Sequence, residues 1–198
     1  MRIFVTGNKG YIGSAIVPLL KESGHEVVGF DIGYFDDCNL TPIIEPELQH
    51  IFDIRDIEKK HLAGVDAVLH LAGLSNDPLG ELDTSLTERI NLEGTIRLAE
   101  LSKSCGIERF VFASSQSIYG VSDVTREMDE YDSEKAPVTA YALSKWKAEL
   151  ELSKLNDNNF SVVSFRPSTV FGASPRLRSD IVYNNFIGCA FTSSRIEI

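Results

Sequence analysis

The chain has 198 residues, 43% of them hydrophobic and 24% charged, enough to bury one full core in a single main domain. A formal net charge of −10 sets an acidic surface against any nucleic-acid backbone, and no stretch has the length and apolarity of a membrane span. Cys38, Cys105 and Cys189 are odd in number and widely spaced, so they suggest neither a disulfide framework nor a metal site; reduced structural thiols in a cytoplasmic, metal-free protein are expected.

The first segment, Arg2 to Thr6, enters a strand at once, with no charged and apolar leader ahead of it. It runs into Gly7-Asn8-Lys9-Gly10-Tyr11-Ile12-Gly13, which reads as a glycine turn opening a helix. Gly7 suits the positive φ of a tight turn, Gly10 lets a pyrophosphate approach the backbone, and Gly13 lets helix and strand pack closely. The helix continues through Ala15, Ile16, Leu19 and Leu20 and stops at Gly24, with Pro18 as an interior kink or frayed turn, and its N-terminal amides face a phosphate site. The plain alternative is an ordinary strand-to-helix turn. Asp31 ends the next apolar run, Glu26 to Phe30, where a carboxylate can accept both ribose hydroxyls of adenosine and repel the 2′-phosphate of NADP; it can equally start a turn, since Gly33 follows.

Further along, short β-branched runs alternate with helical segments. Strands are predicted near 2–6, 26–30, 48–52, 66–71, 109–113 and 161–166, and helices near 12–22, 84–104 and 138–155. The fold class is therefore α/β, a doubly wound parallel sheet of Rossmann type. After the fourth strand, Asn76 and Asp77 are placed either to bind sugar hydroxyls or, with Pro78, to make a turn and helix cap. His70, at the end of that strand, has no second metal ligand at suitable spacing and reads as structural. Tyr141 and Lys145, in YALSK, share one helix face and put a phenol beside an ammonium. A cation roughly 5–6 Å from a tyrosine favours the phenolate, although such pairs also occur on solvated helix faces. A last helix is predicted from Asp180 to about Phe191, before what looks like a strand at the end of the chain.

Taken together, TGNKGYIG, Asp53-Ile54-Arg55-Asp56, His70-Leu71-Ala72-Gly73, Asn91-Leu92-Glu93-Gly94-Thr95, Ser114-Ser115-Gln116-Ser117-Ile118-Tyr119-Gly120, Tyr141 with Lys145, and Arg166-Pro167-Ser168-Thr169-Val170-Phe171-Gly172 resemble, in order, the motifs of extended short-chain dehydrogenase/reductases of the NAD-dependent epimerase/dehydratase group. The resemblance implies an NAD-binding domain over 1–172 and, over 173–198, the start of an incomplete C-terminal substrate lobe. It implies NAD contacts from Gly7, Lys9, Gly10, Tyr11, Ile12, Gly13, Asp31, Asp53, Ile54, Leu71, Ala72, Gly73, Asn91, Ser114, Tyr141, Lys145 and Pro167. It implies a nucleotide-sugar substrate, and a homodimer through the helices near 84–104 and 138–155, with no nucleic-acid or membrane partner.

For chemistry it implies Tyr141 as acid/base, Lys145 as the partner that lowers its pKa and holds the nicotinamide ribose, and Ser115 as the hydroxyl that orients the substrate oxygen, with Ser114 and Ser117 as fallbacks. Strand-end hydrogen bonding to backbone is the other use of such serines. Family dehydratases usually place an Asp-Glu pair after that serine, decarboxylases a glutamate there, and some 3,5-epimerases a cysteine; Gln116 and Ser117 are none of these. A C4-epimerase working by transient oxidation of a carbinol is the expected activity, with a nucleotide-sugar dehydrogenase or reductase, or a non-catalytic dinucleotide sensor, as the alternatives. Arg176 and Arg178 stand either to meet a diphosphate or to be solvated loop residues.

Overall fold

The computed structural model describes residues 1–75, 77–121 and 127–197. Among these, six strands, β1 (Arg2–Thr6), β2 (Glu26–Asp31), β3 (Leu48–Ile51), β4 (Ala67–His70), β5 (Arg109–Ala113) and β6 (Ser161–Phe165), pair in parallel in the order β3-β2-β1-β4-β5-β6. The helices are α1 (Gly13–Glu22), α2 (Asp77–Leu82), α3 (Thr84–Glu88), α4 (Gly94–Ser104), α5 (Ala140–Leu155) and α6 (Val182–Ser193).

Successive strand residues point to opposite faces, and both faces here are apolar. Phe4 joins Phe30, Phe110, Phe112 and Phe160 beneath Leu98 of α4 and Leu152 of α5, while its neighbour Val5 packs with Val27 and Val17 of α1. Helices on both sides follow, as does the near-continuous hydrophobic reading of these strands. The strand order reverses between β1 and β4, and in an open sheet of this kind ligands lie beyond the carboxyl ends at that point.

The predicted strands are all present, within a residue or so at each end. The helix predicted over 84–104 is instead α3 and α4 joined by a π-helical turn at Arg89–Glu93. The helix predicted from 138 begins at Ala140, because Thr139 caps it: its Oγ1 accepts the Ala142 amide at 3.1 Å. Residues 195–197 are irregular, not a strand. Cys38 and Cys105 are exposed free thiols and take no part in the core, which corrects the structural role expected for them. Among the described residues no helix is long and apolar enough to cross a membrane.

Candidate active site

The glycine turn is folded tightly against its own backbone. Gly7, at φ +70°, donates its amide to the Phe30 carbonyl at 2.8 Å and accepts the Gly10 amide at 3.0 Å. A Cβ on Gly7 would lie 2.8 Å from the Ala72 amide nitrogen, and one on Gly13 would lie 2.1 Å from the Gly7 carbonyl oxygen. The positive φ expected at Gly7 and the close packing expected at Gly13 are both present.

Asp31 at the end of β2 starts the turn expected of it and also braces the glycine loop. Its Oδ1 accepts the Gly33 amide at 2.9 Å, forming a turn, and its Oδ2 accepts the Lys9 amide at 3.1 Å, which holds the carboxylate against the glycine turn. Lys9 in turn donates its ammonium to Asp36 Oδ2 at 2.7 Å. Asp53 is engaged by its neighbour: Arg55 Nε reaches Oδ1 at 2.9 Å and Nη2 reaches Oδ2 at 2.6 Å, and that guanidinium holds the carboxyl below the usual range.

His70 is fully buried and sits between two threonines. Its Nδ1 lies 2.6 Å from Thr6 Oγ1 and its Nε2 lies 2.8 Å from Thr95 Oγ1. Thr95 already donates to the Asn91 carbonyl at 2.7 Å, so Nε2 must be the ring nitrogen that carries the proton; Thr6 Oγ1 accepts the Leu71 and Ala72 amides, each at 3.2 Å, and gives its own proton to Nδ1. Burial pushes the imidazole down to about 3, with the Lys145 charge adding to it, so the ring is neutral and structural. Because the folded value lies below the unfolded one, the stability this shift contributes is complete above about pH 6.5 and is lost as pH falls toward 3. In urea unfolding followed between pH 7 and 4, replacing His70 with glutamine is therefore expected to flatten the acid decline of the wild type; an unchanged slope would assign the decline to other groups.

Asn91, inside the π-helical turn, is not brought to the cavity described below. It is fully buried, accepts the Leu74 amide at 2.8 Å, and donates to the Leu74 carbonyl at 3.0 Å and to Ser144 Oγ at 3.3 Å. Its amide fixes the loop that leaves β4 and so supports Gly73 and Leu74 of the cavity wall.

Ser114 and Ser115 follow β5. Ser115 Oγ accepts the Ser117 amide at 3.1 Å and donates to Ser117 Oγ at 3.1 Å, so it caps the 3₁₀ turn Gln116–Tyr119. Ser114 Oγ is buried without a hydrogen-bond partner. On α5, Lys145 is 4% exposed; its ammonium donates to the Ala113 carbonyl at 2.8 Å and lies 4.7 Å from the Phe112 ring centre and 5.9 Å from that of Tyr141. Burial lowers the amine to about 8, opposed by the charge of Glu149, so most of it remains charged at pH 7.

These groups share one cavity of about 540 Å³ at the carboxyl edge of the sheet. Gly7, Lys9, Gly10, Tyr11, Ile12, Gly13, Asp31, Asp53, Ile54, Leu71, Ala72, Gly73, Ser114, Ser115, Tyr141, Lys145 and Pro167 all line it, as do Ser117, Arg176 and Arg178. Phe35 is a wall residue that the sequence reading did not identify: it lies under the Arg176 guanidinium at 4.4 Å, a cross-loop contact with no local sequence signal. Thr6 and Thr95 were likewise missed as the holders of His70, although Thr95 lies within a motif already noted. Asn76 lies outside the described residues, as does the side chain of Asp77.

A model of the NAD dependent epimerase/dehydratase family matches residues 3–194. The chain belongs to this family. A UDP-glucose 4-epimerase of Klebsiella pneumoniae is 35% identical over 131 residues, 61% of this chain and 93% of that one. A dTDP-D-glucose 4,6-dehydratase of Mus musculus is 30% identical over 183 residues, 86% of this chain and 51% of that one. Among solved structures, MoeE5 in complex with UDP-glucose and NAD is 29% identical with a TM-score of 0.80, over 96% of this chain and 60% of that one. The chain thus spans about half the length of the mouse relative and three fifths of MoeE5.

As a member of the NAD dependent epimerase/dehydratase family, the chain is of an enzyme type whose dinucleotide its residues fit. The glycine turn lines the cavity with side-chain-free backbone at Gly7, Gly10 and Gly13, the Asp31 carboxylate borders the same cavity from the end of β2, and Ser114 Oγ is a buried polar atom still lacking a partner.

Proposed function

We propose that the chain binds NAD and interconverts nucleotide sugars by transient oxidation of a carbinol, most simply at C4, with Tyr141 as acid/base. The observation that carries this reading is that Tyr141, Lys145 and Ser115 line the same cavity as the glycine turn and Asp31. Bound NAD would supply a hydride acceptor that returns the hydride within one turnover. The amides of the glycine turn and α1 would hold its pyrophosphate, Asp31 its adenosine ribose, and Lys145 its nicotinamide ribose. The Tyr141 phenolate, favoured by the Lys145 ammonium, takes the carbinol proton and gives it back to the same oxygen. Ser115 and Ser117 orient that oxygen. Gln116 and Ser117 carry no acid for elimination, which speaks for epimerisation over dehydration even though dehydratases are among the relatives.

On this reading residues 1–172 form the cofactor domain and residues from 173 onward begin the substrate lobe, where Arg176 and Arg178 face the cavity toward a diphosphate. A homodimer is proposed through the helices over 84–104 and 138–155, and α5 exposes Leu143 and Leu150 there. The test is incubation of the full-length protein and NAD with UDP-, GDP-, dTDP- and CDP-sugars. C4 epimers without net NADH support the proposal; stoichiometric NADH indicates a dehydrogenase, a dehydrated keto sugar a dehydratase, and silence with retained NAD binding a sensor. Asp31→Ser is expected to weaken NAD by about 10- to 100-fold, the worth of hydrogen bonds to a charged acceptor, while narrowing the preference over NADP. Calorimetric titration with both dinucleotides checks this, and unchanged affinities would leave Asp31 as a turn residue only.

A further inference from the structure

Glu149 and Arg166 form an ion pair that the mechanism above does not use. Glu149 is 7% exposed and lies one turn after Lys145 on α5. Arg166, the first residue past β6, donates Nε to both carboxylate oxygens at 3.1 Å and Nη2 to Oε2 at 2.6 Å. Its Nη1 reaches the Tyr119 hydroxyl at 2.8 Å and the Glu130 carbonyl at 3.0 Å, and the guanidinium lies 5.5 Å and 5.9 Å from the ring centres of Tyr119 and Trp146. The Nε and Nη2 bonds hold the carboxylate at two points, and the remaining contacts hold the guanidinium.

A buried pair of this kind is a poor source of stability, because the desolvation of two charges offsets most of their attraction. Its position gives it another use. Residues four apart share a helix face, yet Lys145 donates to the Ala113 carbonyl, so it feels Glu149 through space. The sheet register puts Phe165 beside Ala113, and Arg166 therefore leaves β6 next to the carbonyl that Lys145 uses. Burial favours the neutral amine, and Glu149 is the opposing charge. Among the described residues, the other charged or titratable groups around this site are His70 from β4, held neutral; Tyr141 on α5; and, beyond Tyr141, Arg178 from the segment before α6.

We propose that Glu149, oriented by Arg166, is a positioning residue for Lys145: its fixed carboxylate keeps the buried amine charged at neutral pH, as the function proposed above requires. The pair ties three parts of the site together, since Arg166 also holds Tyr119 of the serine turn, and the next residue, Pro167, accepts the Gln116 amide at 3.1 Å.

The test needs neither cofactor nor substrate. The Lys145 side-chain NMR signal of the full chain, assigned as the one lost in Lys145→Arg, is titrated from pH 6 to 11. Glu149→Gln is expected to lower the midpoint from about 8 by about one pH unit or more. Arg166→Lys, which keeps the positive charge but gives up the two-point hold on the carboxylate, is expected to lower it by a smaller amount, and decides the matter if Glu149→Gln does not fold. A midpoint that stays within about 0.3 of the wild type, with only thermal stability reduced, would make the pair a structural clamp and overturn the proposal. Tyr141→Phe is titrated in parallel: an unmoved Lys145 there would count against the Tyr141–Lys145 coupling of the proposed function and leave the Glu149 result to stand or fall alone.

Discussion

Replacing Tyr141 with phenylalanine is expected to lower turnover by about 10²- to 10⁴-fold, the usual contribution of a positioned acid/base, while NAD affinity stays within about threefold. The substitution removes one oxygen and keeps the ring on α5, one turn from Lys145. Lys145 keeps its bond to the Ala113 carbonyl, so the cation and its site survive. Lys145→Met is the companion change. A unit charge about 4 Å away is worth about 4 kcal/mol at an effective dielectric of about 20, which bounds how far the ammonium can favour the phenolate. That variant should lose turnover and also weaken NAD, because the same ammonium is assigned to the nicotinamide ribose. Rates with a converted nucleotide sugar and calorimetric NAD binding separate the two. If Tyr141→Phe kept more than about a tenth of the turnover, the proton would have to pass through another group, and Ser115 or Ser117 would be next in line.

Gly13→Ala is expected to destabilise the chain by about 3 kcal/mol, the upper end for overpacking, and to abolish measurable NAD binding. The new Cβ would stand 2.1 Å from the Gly7 carbonyl oxygen, 2.6 Å from Asn8 Cα and 2.7 Å from the Asn8 carbonyl carbon. All three are backbone atoms, so no side-chain rotation relieves the clash; the turn or α1 must move. Gly24→Ala provides the contrast. It meets nothing within 4 Å and carries only the strain of φ +78°, so a loss of about 1 kcal/mol with binding intact is expected. Urea unfolding and calorimetry on both variants give the comparison. Gly13→Ala with wild-type stability and affinity would mean that the turn adapts where the geometry says it is rigid.

What was legible in the sequence is what depends on local pattern. The strands of this sheet are short apolar runs bounded by breakers, and Phe4 and Val5 show why they read without alternation: each face has its own helices. The glycine turn and YxxxK are rigid local spacings, so they survive the passage to three dimensions. The serine cluster was legible as to place but not as to use, since only the fold shows Ser115 capping its own turn while Ser114 Oγ lacks a partner. Asn91 was legible as a motif position, but its hold on the β4 exit loop was not, because a motif names a residue without its neighbours. The Thr6–His70–Thr95 bridge, the Arg176–Phe35 contact and the Glu149–Arg166 pair join residues distant in the chain, and nothing in their local spacing announces them.

The glycine turn does not stand alone at its outer end. The Tyr11 hydroxyl donates to the Gly172 carbonyl at 2.8 Å and accepts from Asn184 at 3.1 Å, and Ser174 Oγ donates to the Tyr11 carbonyl at 2.7 Å. These three bonds fasten the start of α1 to the segment around 172–184, so the two are tied as one body at that edge of the cavity. On the function proposed above, slow release of the dinucleotide would follow from having to open this fastening, and two of its three bonds belong to the hydroxyl on Tyr11.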